Sequence, residues 1–525
     1  MSIFSNNYNY DTIIVGGGIS GLFTAYKLSG TGKKILLIEG SDRLGGRIKT
    51  TYGDGFFYES GAARFHKTHT KLLSLIDELG LKEDIIELPD KIDYILRMDG
   101  KYKTENKLNL DDLLEEALSS AKTIDKEKLI NMTFFQYLIL VFDFETTQFI
   151  KDSFGYDSEI MHLNAYAAIT MFKDDLLKDN NYFVLKNGLS TIIDKLEEQI
   201  NLKNNVIIKK KTSLKEVHKD HILTDKEDKF NFKKLILAIP SEKLERLEYF
   251  KENEYINSVK PIKLLRIYAK YPTKNLWFKD IKRTITDNYI RHIIPIDYDN
   301  GIIMISYTDD KYSELWEGYN KINQKTLIKA LHKEIFDLFK IDPPKPKMVS
   351  VNYWENGLHV WDIGYDINKV YKKMLKPGND NVFICGESYS KKQGWIEGAL
   401  ESCYDVIKLL PFNNIKINVK KEKVEEKDNL MQIQDVIEHG KLIILDHDGN
   451  KPIYDVTNWI SKHPGGSIIT TVGIDANKFY LKKKDKKYNK SPYDIFKTLH
   501  TKEIIKKYLI DDNKFVKKVG FLDEK

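Results

Sequence analysis

Residues 12–39 read TIIVGGGISGLFTAYKLSGTGKKILLIE, and the fold turns on this stretch. Thr12–Val15 is a short β-branched run, the chain as far as Leu28 has a helical pattern, and Lys34–Glu39 is a second apolar run that ends in an acid. Strand, turn, helix and strand within about 30 residues make a βαβ unit. The turn carries Gly16, Gly18 and Gly21 in the spacing G-x-G-x-x-G. The first glycine permits the tight turn, the second lets a pyrophosphate approach the backbone, and the third allows close helix–strand packing. The anion then rests on the N–H groups at the start of the helix. Glu39 ends the second strand, where a carboxylate can accept from ribose hydroxyls. These residues point to a dinucleotide on a Rossmann-type α/β domain.

At 525 residues and about 100–200 residues per domain, the chain should hold at least two cores. Hydrophobic residues at 42% and charged residues at 30% exclude a mainly disordered or fibrous chain. Lys plus Arg exceed Asp plus Glu by only six, which gives no reason to expect nucleic acid. The two cysteines, Cys385 and Cys403, cannot build a disulfide framework or a four-thiolate zinc site, and read as small core residues. The start, MSIFSNNYNYD, lacks a basic then apolar leader. No run reaches the roughly 18–20 apolar residues of a membrane span. A soluble, cytoplasmic, multidomain protein is the expectation. Of the 83 basic residues only 8 are Arg, so each Arg is informative, and Arg43, Arg47 and Arg64 lie within 22 residues.

Residues 105–180 are mostly helical in pattern, 205–240 read as short strands ending in LILAIP, and 260–310 hold further strands. NVFICGE (381–387) is a buried strand followed by a helix from about Gly394 to Leu410. The expected organisation is a large domain over 1–412, a charged linker over 413–429 and a second compact unit over 430–515.

Three further segments choose between NAD and FAD: Gly45-Gly46-Arg47, ESGAARF (59–65) and GESYSKKQGWIEGAL (386–400). Together with the glycine turn they resemble the flavin amine oxidases over residues 10 to about 410. The L-amino-acid oxidase branch is the nearest, with G-G-R, G-P-M-R, A-G-E and G-W-I-D in the same order. The resemblance implies FAD on the Rossmann-type domain, interleaved with substrate and helical regions. It places Ile19 and Ser20 on the pyrophosphate, Glu39 on the adenosine ribose, and Gly46 and Arg47 by the phosphates. Gly61, Ala62, Ala63 and Arg64 would border the isoalloxazine, and Glu387 would hold the ribityl chain. The run Gly394, Trp395, Ile396, Glu397, Gly398 and Ala399 would lie beside the flavin's polar end. A guanidinium at Arg47 suits a phosphate, since it binds bidentately.

The same resemblance implies hydride transfer from the carbon bearing an amine, with hydrolysis of the imine. Arg64 falls where the branch binds a substrate carboxylate, Tyr307 at its second donor, and Gly394-Trp395 beside the amine. Ala62 stands where the family usually has Pro. Lys263 is the candidate for the family's lysine near flavin N5, although its spacing to Trp277 is long. Leu358 occupies the position of the flavin-bonding Cys of monoamine oxidases, so the FAD should be non-covalent. His359 beside it could line the pocket or simply pack. A polyamine oxidase or a desaturation-type enzyme is the alternative: an acidic wall would favour polyamines, and a long apolar tunnel lipids. A vestigial pocket in an electron-transfer or docking protein is the alternative outside catalysis.

Residues 453–480, IYDVTNWISKHPGGSIITTVGIDANKFY, followed by LHTKEIIKKYLI (499–510), resemble the cytochrome b5 heme-binding domain. That implies a small α+β module with heme b, His463 as one axial ligand and His500 as the other. The two histidines are 37 residues apart, longer than in ordinary b5 domains, with the excess at KKKDKKYNK (482–490). Asn477 also replaces the usual Thr. Electrons would leave to O2, giving H2O2, to the fused heme, or to a redox partner protein.

Overall fold

The computed structural model describes residues 8–88, 92–98, 100–104, 108–175, 182–378 and 381–411, with four short strands beyond them. The chain divides into two units, Met1–Ile417 and Asn418–Lys525.

In the first unit, β1 (Tyr8–Val15), α1 (Ile19–Ser29) and β2 (Ile35–Ile38) form the βαβ start. β1 and β2 run parallel, with Ile13 opposite Leu36. The Lys229–Leu237 strand joins the other side of β1 in parallel, and Val382–Ile384 pairs with it in turn. Val206–Lys209 extends the sheet beyond β2, while an antiparallel pair, Leu214–Val217 and His221–Thr224, forms the far edge. A parallel centre must be covered on both faces, and Ile13, Ile14, Leu36, Leu37, Leu235 and Ile236 are all fully buried. One face packs under α1, Ser190–Asn201 and Ile396–Leu409, through Leu22, Phe23, Leu196 and Leu400. The other packs against the helical stretch, through Phe134, Tyr137 and Ile150.

A second sheet of seven strands is mostly antiparallel. Its order is Met348–Trp361, Val259–Lys270, Ile302–Asp309, His292–Asp297, Thr284–Thr286, Asp93–Met98, Lys101–Lys103. Leu265, Ile267, Ile303 and Ile305 point to one side and are sealed by Trp316, Leu327 and Leu331 of helices Asp310–Ile322 and Gln324–Phe339. Side chains alternate along a strand, so Arg266, Tyr268 and Tyr307 stand on the opposite face. There Tyr268 stacks on Tyr58 at 4.3 Å. This face fronts the turn at residues 59–64, where Arg266 and Tyr268 donate to the carbonyls of Glu59 and Gly61.

The second unit shows a four-stranded sheet in the order Leu430–Met431, Lys517–Leu522, Pro452–Asp455, Leu442–Ile444. His463, His500, Asn477 and the 482–490 stretch lie outside the described residues, as does 413–429. Among the described residues, no helix is long and apolar enough to cross a membrane.

Candidate active site

Glycines cut a cradle at the head of α1. Gly16 holds φ +107°, and a Cβ there would lie 2.4 Å from the Ala238 carbonyl oxygen. A Cβ on Gly21 would lie 1.8 Å from the Gly16 oxygen, so strand and helix approach this closely only with glycine. Gly18 differs from both. Its φ of −73° suits any residue, and the atom nearest a Cβ there is the Gly46 Cα, at 4.0 Å. Neither backbone nor packing calls for glycine at that point. The space faces the first-turn N–H groups of α1, which has no side-chain cap. A phosphate fits both the space and the donors.

The rim is pinned by backbone contacts. Gly45 N donates to the Gly17 oxygen at 2.8 Å, which brings the Gly45–Arg47 turn against the cradle. Arg43 shapes that turn by donating to the carbonyls of Leu44, Gly46 and Ile48. Glu39, half-buried at the end of β2, accepts from Gly17 N at 2.6 Å and Ser41 N at 2.8 Å. Each of its oxygens keeps a lone pair for a ribose hydroxyl.

Glu387 centres a buried charge network. Arg47 donates to its Oε2 at 2.7 Å and to the Gly357 oxygen at 3.2 Å. The backbone N–H groups of His359 and Gly394 donate to its Oε1, at 2.9 and 2.8 Å, and His359 Nδ1 lies 2.7 Å from Oε2. Burial alone would raise the Glu387 carboxyl, but Arg47 and His359 outweigh it and hold it far below the usual carboxylate range. Burial likewise opposes charge on His359. Glu387 and Glu242 overcome that and move its pKa up. His359 is fully buried between two carboxylates, so it packs and pairs rather than lining open space.

Aromatic rings join the expected substrate residues. Arg64 Nη2 donates to Tyr156 Oη at 3.5 Å, and its guanidinium lies 4.3 Å from the Tyr182 ring. Tyr182 runs parallel to Trp395 at 6.1 Å, and Tyr156 meets Tyr307 edge-on at 5.3 Å. His292 lies 4.7 Å from Tyr156 and 5.7 Å from Tyr307, and His69 lies 4.9 Å from Trp395. Burial, with Arg283, Arg291 and Arg64 nearby, keeps His292 neutral, and burial keeps His69 neutral, down at about 3.

The proline-to-alanine departure has a physical reason. Ala62 N donates to the Arg47 oxygen at 3.0 Å, a bond that proline could not make. Gly61 beside it leaves no room for a Cβ, which would fall 2.0 Å from the Arg47 oxygen. Gly394 has φ +78°, and the Leu358 side chain is the nearest neighbour of a Cβ there, at 3.7 Å.

Two expected residues serve elsewhere. Glu397 spends both carboxylate oxygens on the N–H groups of Lys71 and Leu72, at 2.9 Å each, capping the helix Thr70–Glu78, and burial raises it to about 7. Only the backbone of 396–399 remains for a ligand. Lys263 sits at a register shift of the Val259–Lys270 strand, and its side chain ion-pairs with Glu314 of the covering helix, away from the face that carries Arg266. That partner raises its pKa, whereas a proton-relaying lysine needs a desolvated amine with a lowered one. The structure brings Arg266 to the site instead: it donates to the carbonyls of Glu59 and Gly61 and lies 4.3 Å from the Tyr307 ring. Cys385 and Cys403 are buried in the core.

The sequence reading missed Tyr156, Tyr182, Arg266, Arg283 and His292. The two arginines carried a signal, as members of a set of eight. Nothing marked Tyr156 or Tyr182 among 30 tyrosines.

The family model described as flavin containing amine oxidoreductase matches residues 19–406, well over half of the chain. Achacin from Lissachatina fulica is 24% identical over 75% of this chain and 92% of its own length. Flavin-dependent L-tryptophan oxidase RebO from Lentzea aerocolonigenes is 21% identical over 76% and 97%. Putrescine oxidase has the same fold, with a TM-score of 0.63 at 17% identity over 77% of this chain and 99% of that one. No likeness in these comparisons supports a fused b5 domain or heme. The glycine cradle, the acid at its rim and the Arg47–Glu387 ion pair therefore belong to an FAD-dependent amine oxidase-type enzyme, and this chain is a member of the flavin containing amine oxidoreductase family.

Proposed function

We propose that the enzyme oxidises the C–N bond of an α-amino acid. The observation that carries this reading is Arg64: half-buried among Tyr156, Tyr182 and Tyr307, it has no carboxylate partner among the described residues. An α-carboxylate would complete it, as a charge-assisted bidentate pair. Non-covalent FAD, held by the glycine cradle, Glu39 and Arg47, supplies a two-electron acceptor for the hydride of the amine-bearing carbon. Glu387, whose oxygens are filled by Arg47, His359 and the Gly394 N–H, positions Arg47 instead of binding the ribityl chain itself. Arg64 and Tyr307 then bind and orient the carboxylate. Trp395, Tyr182 and His69 wall the site and exclude water, and Gly394 holds the approach to the amine open. Leu358 beside Gly394 cannot form a thioether, which supports the non-covalent reading. The imine product hydrolyses to a keto acid and ammonia. A wall of arginine and tyrosine is the opposite of what a diamine requires, and this favours an amino acid over a polyamine.

Arg64→Lys tests it. Replacing a fork by a point charge should cost about 1.5–3 kcal/mol, roughly ten- to hundredfold in KM. The loss should appear with amino acids and be small with the matching decarboxylated amines. Equal losses on both would assign Arg64 to the flavin instead.

A second reading concerns the C-terminal unit. H-P-G-G at 463–466 within the b5-like order supports heme b on His463 and His500, both outside the described residues. The purified full chain should then show a low-spin heme spectrum that lacks a carbon-monoxide-binding form. A flavin spectrum alone would make that unit a docking domain.

A further inference from the structure

Arg283 immediately precedes the Thr284–Thr286 strand and continues its ladder, the Arg283 oxygen accepting from Asp93 N at 2.9 Å. Ile285 is paired with His292 across the antiparallel neighbour. Paired residues share a face, and so do residues two apart on one strand. Arg283 therefore stands on the face of His292, whose ring touches both Tyr156 and Tyr307. It belongs to the same wall as Arg64.

Partners separate the arginines of this wall. Arg291 is fully buried against Asp157 at 3.1 Å, and Arg266 is spent on backbone carbonyls. Arg283 has no ion pair among the described residues, and its Nε is buried with no hydrogen-bond partner. Burial and the positive charge of Arg64 lower it to about 10. Arg64 and Arg283 thus repel one another, and Tyr156 and Tyr182 are the groups that face both. Unpaired charges so placed cost stability, and a binding site is where such a cost is retained. One α-carboxylate neutralises only Arg64.

Resting on the amino-acid reading above, we propose that the substrate carries a second carboxylate, on its side chain, which Arg283 binds: the enzyme acts on a dicarboxylic amino acid. Arg64 takes the α-carboxylate and Arg283 the distal one, so substrate length is set by the span between the two guanidinium groups.

The test uses the FAD-loaded full chain with L-aspartate and L-glutamate against L-asparagine and L-glutamine, followed by peroxide release and by anaerobic flavin reduction. The dicarboxylic acid should exceed its amide at least tenfold in kcat/KM. Arg283→Gln should bring that ratio to about one, and Arg283→Lys should leave it intermediate. Without turnover, glutarate should raise the melting temperature of the wild type more than butyrate does, and Arg283→Gln should remove the difference. Equal use of acid and amide by the wild type, or a preference unchanged in Arg283→Gln, overturns the proposal while the amino-acid reading stands. If amines reduce the flavin and no amino acid does, that reading fails and this one with it.

Discussion

Gly18→Val should yield a folded protein that does not retain FAD. The backbone at Gly18 is extended, with φ −73° and ψ −178°, so valine fits it without strain. The nearest atom to the new Cβ is 4.0 Å away, so the apo fold should keep a melting temperature close to that of the apo wild type. The branched side chain then occupies the space in front of the α1 donors. Overpacking of this kind costs about 1–3 kcal/mol, about five- to 150-fold in FAD affinity. Gly21→Ala is the contrasting variant: its Cβ would sit 1.8 Å from the Gly16 oxygen, and the fold itself should fail. Far-UV circular dichroism and flavin titration distinguish the two outcomes. A Gly18→Val protein that binds FAD like the wild type would mean the cradle holds no phosphate.

Glu387→Gln should be nearly as damaging, for an electrostatic reason. The carboxylate is 5% exposed and faces Arg47 and His359. Removing one member of a buried pair costs about 3–5 kcal/mol, because the remaining charge is left uncompensated. The variant should lose FAD on gel filtration and melt earlier. The pH dependence follows in sign. Glu387 has a lowered pKa, so its stabilisation is complete above its unfolded value near 4.3 and fades as pH falls through its much lower folded value. His359 has a raised pKa, so its share is complete below about 6.5 and fades as pH rises through the folded value. Thermal melts across pH should show both limbs in the wild type, the acid limb absent in Glu387→Gln and the basic limb reduced. A variant that keeps both limbs would remove Glu387 from the network.

What was legible in the sequence depended on how local the cause was. The spacing of Gly16, Gly18 and Gly21 predicts a cradle because the turn, the helix start and the close contact all arise within six residues, and the structure builds it. The second strand, the helical stretch and the strand before Gly386 also follow from local apolar patterns. Lys263 misled for the opposite reason. Its chemistry suits a proton relay, but a strand turns every second residue to the other face. Lys263 and Arg266 are three positions apart, with a register shift at Lys263, and only the register of the sheet decides which faces the turn at Glu59–Gly61. Tyr156 and Tyr182 join Arg64 through contacts between distant parts of the chain, which no short pattern encodes. The Ala62 departure becomes intelligible only once its N–H is seen to reach Arg47.

The most direct test of an amino-acid oxidase is anaerobic mixing of the FAD-loaded enzyme with L-amino acids, the corresponding decarboxylated amines and putrescine, while the visible flavin band is followed. Oxygen and any heme-borne electron route are then irrelevant to the first half-reaction. An amino acid should bleach the flavin at a rate at least tenfold above that with any of the amines. Faster bleaching by putrescine or by the decarboxylated amines would contradict it.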